Sequence, residues 1–292
     1  MTIGEAGPLV SGEWLAAWIG EPGLHVIHVS ADRKAYDEGH VPGALFSDLH
    51  VDMAKTGTRP ETGTAKRVYL VPTREETAES LARWGVKSGE HIVFYDDSQG
   101  RQGIRGYWLL RLYRFPKTQL HVLDGGLPVW TKEGRALTTV EPKLDATDPA
   151  AALALLGDRD DSLIATADEV LAWNRESSAP NGATRLLDVR RIDEFLGRDV
   201  VALRGGHIPG ARHRVFTDFV AVDGRLRPAA DILSVLQASG VDPAELRATY
   251  CQGGVRAALA WFALSEVAGL QQVRNYAESW EEWGNRPDLP ID

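Results

Sequence analysis

The hexapeptide GHVPGA at residues 39–44 returns almost unchanged as GHIPGA at residues 206–211. A turn of this composition, used twice in one chain, points to a duplicated unit, and the stretches around it repeat in the same order. Upstream, LVSGEWLAAW (9–18) is matched by IATADEVLAW (164–173), and VIHV (26–29) by LLDV (186–189). Downstream, HIVFYD (91–96) is matched by RATYC (247–251), and LDGGLPVW (123–130) by YAESWEEW (276–283). Five matches in one order, with small insertions between them, define two copies of about 130 residues each. That division suits a 292-residue chain, because one hydrophobic core rarely serves so many residues.

Each copy alternates strand and helix signals. Thr166 and Glu169 form a capping box ahead of an apolar run. TRLLDV and RATYC are short β-type runs, AADILSVLQASGV has helical spacing with a glycine stop, and VRAALAWFALSEVAGL is apolar on most sides, as in a buried helix. Such alternation predicts an α/β fold in which each copy is a parallel sheet flanked by helices, with ligands at the carboxyl ends of the strands. We place the first domain at residues 1–140, a connector at 141–163 and the second domain at 164–292. The prolines and aspartates of TTVEPKLDATDPAAALALLGDRDDSL (138–163) suit an exposed connector, and DRDD (158–161) reads as a solvated patch.

Composition narrows the function. The formal charge is −9, which argues against a nucleic-acid partner and obliges any anionic ligand to be held by local arginines. MTIGEAGPLV lacks the basic and apolar regions of a signal peptide, and no apolar run approaches the length of a membrane span. A single cysteine precludes an internal disulfide and argues against a cysteine-based metal cluster, and the eight histidines show no ligand-like spacing. The expectation is a cytoplasmic protein with no membrane contact and no metal.

That cysteine is Cys251, in ATYCQGGVRAALAWFAL (248–264). It stands where a strand ends and a helix begins. Gly253 and Gly254 let backbone N–H groups converge on one point, the helix N-terminus contributes partial positive charge, and Arg256 contributes a full one. All three stabilise negative charge on the sulfur or on an anion bound to it. The competing reading is a small buried cysteine filling a strand-to-helix turn. In the first copy Asp96 takes the place of the cysteine and the loop, DDSQGR, is longer, so that copy lacks the nucleophile and is left to wall the substrate entrance.

With these residues in view, the chain resembles the two-domain rhodanese sulfurtransferases. GHVPGA and GHIPGA, YDDS, VLDGGLPVW, LLDVRRIDEF, YCQGGVRAA and YAESWEEWG carry the resemblance, which spans nearly the whole chain. It implies two tandem rhodanese-like domains, the second catalytic, in which Cys251 accepts a sulfane sulfur as a persulfide and passes it to cyanide or a thiol, or is reduced by a thioredoxin-like partner. It implies no cofactor. The donor-binding residues it implies are Gln252, Gly253, Gly254, Val255, Arg256 and Arg190, supported by Asp188 and Glu194. Four residues separate Cys251 from Arg256, whereas phosphatases and arsenate reductases of similar fold place five or more there, so those chemistries are disfavoured. A sulfur-carrier or binding module is a further alternative.

The chain departs from the animal members of this family at the donor end. Gln252 and Gly253 stand where thiosulfate-specific members carry two basic residues, and Arg256 stands where mercaptopyruvate-specific members carry a threonine. Glu194 replaces an arginine, and we expect it to pair with Arg256. Thiosulfate is the favoured small anionic donor and 3-mercaptopyruvate the alternative. Asp188 reads either as a turn carboxylate or as a pocket group, and Arg190 either as an anion-steering charge or as the partner of a buried acid. Arg204 is expected to be a solvated loop arginine. His40 and His207 occur in both copies, so they read as turn-fixing residues and not as acid–base groups. Trp18 with Trp173 and Trp130 with Trp283 read as core anchors, and Trp280 as packing near the groove between the domains.

Overall fold

A computed structural model describes residues 3–57, 68–177 and 184–292. The chain divides into two compact units, residues 1–55 with 71–160 and 222–225, and residues 56–70 with 161–221 and 226–292.

In the first unit five parallel strands lie in the order Leu9–Val10, Leu120–Leu123, His91–Tyr95, Leu24–Ser30, Ala44–Asp48. HIVFY and LHVL are buried at every position, because helices cover both faces of a parallel sheet and its strands therefore carry continuous apolar runs. The second unit repeats the plan with Arg274–Asn275, Ala248–Tyr250, Leu186–Asp188 and Arg212–His213, and Ile164 adds a parallel bridge to Asn275 where the first unit has its edge strand. Each unit has its own core. Trp130 and Tyr95 anchor one, and Trp280, Trp283 and Tyr250 anchor the other.

The two histidine turns are built alike. The His40 ring stacks on Tyr36 at 3.7 Å and its Nδ1 bonds the Tyr36 carbonyl at 2.8 Å. The His207 ring stacks on Phe195 at 3.7 Å and its Nδ1 bonds the Phe195 carbonyl at 3.0 Å. The next residue in each turn, Val41 or Ile208, donates its N–H to a tyrosine hydroxyl, of Tyr95 or Tyr250, at 3.1 Å. The histidines thus fix backbone.

Several expectations change. Part of the 141–163 connector is packed. Pro149–Leu153 is helical, Ala152 and Leu156 are buried, and the Arg74 guanidinium bonds the Leu153 and Leu156 carbonyls at 3.4 and 2.7 Å. Arg204 is no solvated loop arginine. It donates to the carbonyls of Trp283, Leu289, Gly284 and Arg286 and so staples the C-terminal turn. Trp280 lies in the second core at 1% exposure, and its indole N–H meets the Arg204 carbonyl at 3.2 Å. Trp130 and Trp283 are buried anchors, whereas Trp18 and Trp173 are only half-buried. Among the described residues, no helix is long and apolar enough to cross a membrane.

Candidate active site

Cys251 directly follows the strand Ala248–Tyr250, and the helix Val255–Trp261 starts four residues later. Its peptide is held on both sides. The Cys251 N–H donates to the Ser279 hydroxyl at 3.0 Å, and the Cys251 carbonyl accepts from Trp280 N–H at 3.0 Å. The sulfur accepts from Gly254 N–H at 3.1 Å. Among the described residues, the N–H groups of Gln252, Gly253, Val255 and Arg256 have no acceptor. The loop is thus an open cradle of donors at a helix N-terminus, a ready anion site.

Both glycines are sterically required. Gly254 takes φ +77°, and a β-carbon there would lie 2.4 Å from the Ala277 carbonyl oxygen. A β-carbon at Gly253 would lie 2.5 Å from the ring of Tyr69. Tyr69 belongs to the segment 56–70, which clusters with the second unit, so this ring covers one side of the loop. Sequence reasoning did not single out Tyr69, Ser279 or Glu281. Only the non-glycine at 279, facing Gly126 in the repeat, gives a signal.

Arg256 is locked. It makes a bidentate pair with Glu194, Nη1 to Oε2 at 2.7 Å and Nη2 to Oε1 at 2.9 Å, as expected from the paired departures. Glu194 sits in the first turn of the helix Ile192–Phe195 and also accepts the Arg191 N–H at 3.0 Å. Burial would raise the Glu194 pKa, but the Arg256 and Arg191 bonds win and bring it down to about 2. Burial likewise opposes the charge on Arg256, and Glu194 with the sulfur of Cys251 more than offsets it.

Arg190, counted in the sequence among the donor-binding residues, is elsewhere engaged. It is fully buried, with Nε and Nη2 on Asp188 at 3.0 and 2.6 Å and Nη2 on the Gly206 carbonyl at 2.7 Å, and its guanidinium lies 4.4 Å from the Trp280 ring. The physical reason is charge pairing. Asp188 ends the adjacent strand opposite Tyr250, has no access to water, and takes the nearest cation as its partner. Gln252 turns its Nε2 to Glu281 Oε2 at 3.2 Å, leaving its Oε1 buried and unbonded.

The corresponding loop of the first unit is closed from inside. Asp96 follows the strand His91–Tyr95 as Cys251 follows its own. Its Oδ1 accepts from Ser98 and Gly100 N–H at 2.7 and 2.9 Å, and its Oδ2 from Gln102 and Gly103 N–H at 2.7 and 2.8 Å. One carboxylate fills the cradle.

A tandem pair of parallel α/β units, one presenting a cysteine in an open N–H cradle and the other the same cradle filled, agrees with two copies of the rhodanese-like domain. The model of that family matches residues 11–133 and again 166–286, and the chain belongs to the family. It is similar to a thiosulfate sulfurtransferase of Corynebacterium glutamicum, with 35% identity over 97% of this chain and 90% of that one. It is also similar to a probable 3-mercaptopyruvate sulfurtransferase of Pseudomonas aeruginosa, with 35% identity over 97% of each. The fold matches the crystal structure of SseA, a 3-mercaptopyruvate sulfotransferase of Escherichia coli, with a TM-score of 0.75 and 23% identity over 94% of this chain and 99% of that one.

Proposed function

We propose that this protein is a sulfurtransferase that moves a sulfane sulfur from thiosulfate to cyanide or a thiol through a persulfide on Cys251. The carrying observation is the cradle of unoccupied N–H groups around a sulfur that already accepts one of them. The thiolate attacks the outer sulfur of thiosulfate, the S–S bond breaks, and sulfite leaves with the bonding electrons. The new terminal sulfur carries the negative charge, and the N–H groups of Gln252, Gly253, Val255 and Arg256 stabilise it. Cyanide or a thiolate then attacks that sulfur, and the Cys251 thiolate leaves. Reduced small thiols and a thioredoxin-like protein of the cytoplasm are the natural acceptors in this reading.

Two observations favour thiosulfate over a keto acid. Arg256 is already neutralised by Glu194, and Arg190 is buried on Asp188, so neither offers a bidentate seat to a carboxylate. The likeness to the Pseudomonas aeruginosa relative supports 3-mercaptopyruvate as the second reading, in which the C–S bond breaks and pyruvate leaves as its enolate and takes up a proton. Intact mass after incubation with each donor tests both. The expected result is a gain of one sulfur atom, faster with thiosulfate and reversed by cyanide. No gain with either donor overturns the reading, and faster loading by 3-mercaptopyruvate moves the assignment to the second.

A further inference from the structure

Ser279 is a buried serine in a conformation serine rarely takes. Its φ is +54°, it is wholly shielded from water, and it is one of three non-glycine residues in the described chain with positive φ. Left-handed backbone places Cβ close to the following carbonyl, a penalty glycine avoids. The first unit shows the turn built without the penalty. There the equivalent residue is Gly126, at φ +57°, and the next N–H, of Leu127, meets the Asp96 carbonyl at 2.8 Å just as Trp280 N–H meets Cys251. The turn itself therefore asks for glycine, and serine must be kept for its side chain.

The side chain has one visible task. Its hydroxyl donates to the Tyr276 carbonyl at 2.7 Å, which orients the oxygen so that a lone pair accepts the Cys251 N–H at 3.0 Å. With its N–H bonded to Ser279 and its carbonyl to Trp280, the Cys251 backbone is held on both sides of its Cα, and its sulfur lies against the Gly254 N–H. Asp96 needs no such clamp, because four N–H bonds to its own carboxylate fix it.

We propose that Ser279 is a positioning residue for the nucleophile. Its hydroxyl takes the Cys251 N–H and thereby fixes the sulfur in the cradle, at the cost of a left-handed serine. The inference rests on Cys251 being the reacting group, as in the proposed function, but its test does not need sulfur transfer. Because the chain has one cysteine, the rate of alkylation by iodoacetamide reports this sulfur alone.

The comparison is between S279G and S279A. S279G relieves the backbone strain and removes the hydroxyl, whereas S279A removes the hydroxyl and keeps the strain. Loss of one hydrogen bond that orients a reacting group is expected to slow alkylation about tenfold in both variants at neutral pH. In single-turnover loading, the maximal rate should fall similarly while the donor concentration at half-maximum stays unchanged. Urea unfolding verifies that the protein assayed is folded. Alkylation of S279G within about twofold of the parent overturns the proposal, as does slowing confined to S279A, which would make the serine a matter of backbone strain alone. A parent protein that alkylates normally but takes no sulfur from any donor would instead overturn the sulfurtransferase reading and leave this result standing on alkylation.

Discussion

The loop after Tyr95 and the loop after Tyr250 are one backbone device in two states. Both close a central strand, both point N–H groups inward, and both begin a helix behind a left-handed glycine, Gly100 or Gly254. In the first, the side chain at the strand end is a carboxylate that consumes four of the donors. In the second, it is a thiol that consumes one and leaves the others open. The contrast teaches that the cradle is an anion trap by construction, and that the side chain at one position decides whether the trapped anion is internal or comes from solution.

The contrast breaks most completely at the sulfur. C251S should show no mass gain with any donor and an unchanged circular dichroism spectrum, and a loaded C251S protein would end the persulfide mechanism. The next largest effect is expected at the filled cradle. D96A strands four N–H donors and should lower stability by roughly 4 kcal/mol, at about 1 kcal/mol for each bond lost. Thiosulfate or sulfate should raise the melting temperature of D96A more than that of the parent, because D96A offers a second open cradle. An unaltered melting temperature in D96A would show that the carboxylate is not what closes the loop.

Third comes Glu194. Its pKa falls on folding from 4.5 to about 2, so its stabilisation is complete above about pH 4.5 and is lost as the pH drops toward 2. At about 1.4 kcal/mol per unit this is roughly 3 kcal/mol, and E194Q should remove that acid slope from urea-unfolding titrations. An equal slope in parent and variant would refute the assignment.

The smallest effect belongs to His28, which faces Tyr95 across the sheet as Asp188 faces Tyr250. Burial, aided by the proximity of His40, lowers its pKa from 6.5 to about 4, and both ring nitrogens are without partners among the described residues. The folded protein therefore refuses a proton that the unfolded chain accepts, and stability falls as the pH drops from 6.5 toward 4, by roughly 2 kcal/mol at pH 5. H28L should flatten that interval and leave the Glu194 slope intact.

The fold was legible because its signals are local or repeated. Apolar runs, glycine stops and two copies of one turn are enough to give parallel sheets under helices. Cys251 and its loop were legible for the same reason, and the Glu194–Arg256 pair followed from two departures that compensate in charge. What sequence missed depends on approach of distant segments. Tyr69 reaches Gly253 from 184 positions away in the chain, and no periodicity encodes that contact. Arg190 is identical as a letter whether it faces a ligand or a buried Asp188, and only burial distinguishes the two. Arg204 appeared solvated because the carbonyls it ties together belong to the C-terminal turn, some 80 residues on.

The isolation of the sulfur has an oxidative consequence. Cys251 is the one cysteine of the chain, so a sulfenic acid formed there by peroxide finds no second thiol in the molecule to close a protective disulfide. Its repair has to come from a thiol delivered from outside the molecule. Burial at 1% exposure slows the first oxidation, and it equally slows the rescue. Under the proposed function, a thiol that accepts sulfur from Cys251 is also the thiol that repairs it, so turnover and survival under oxidants share one reductant.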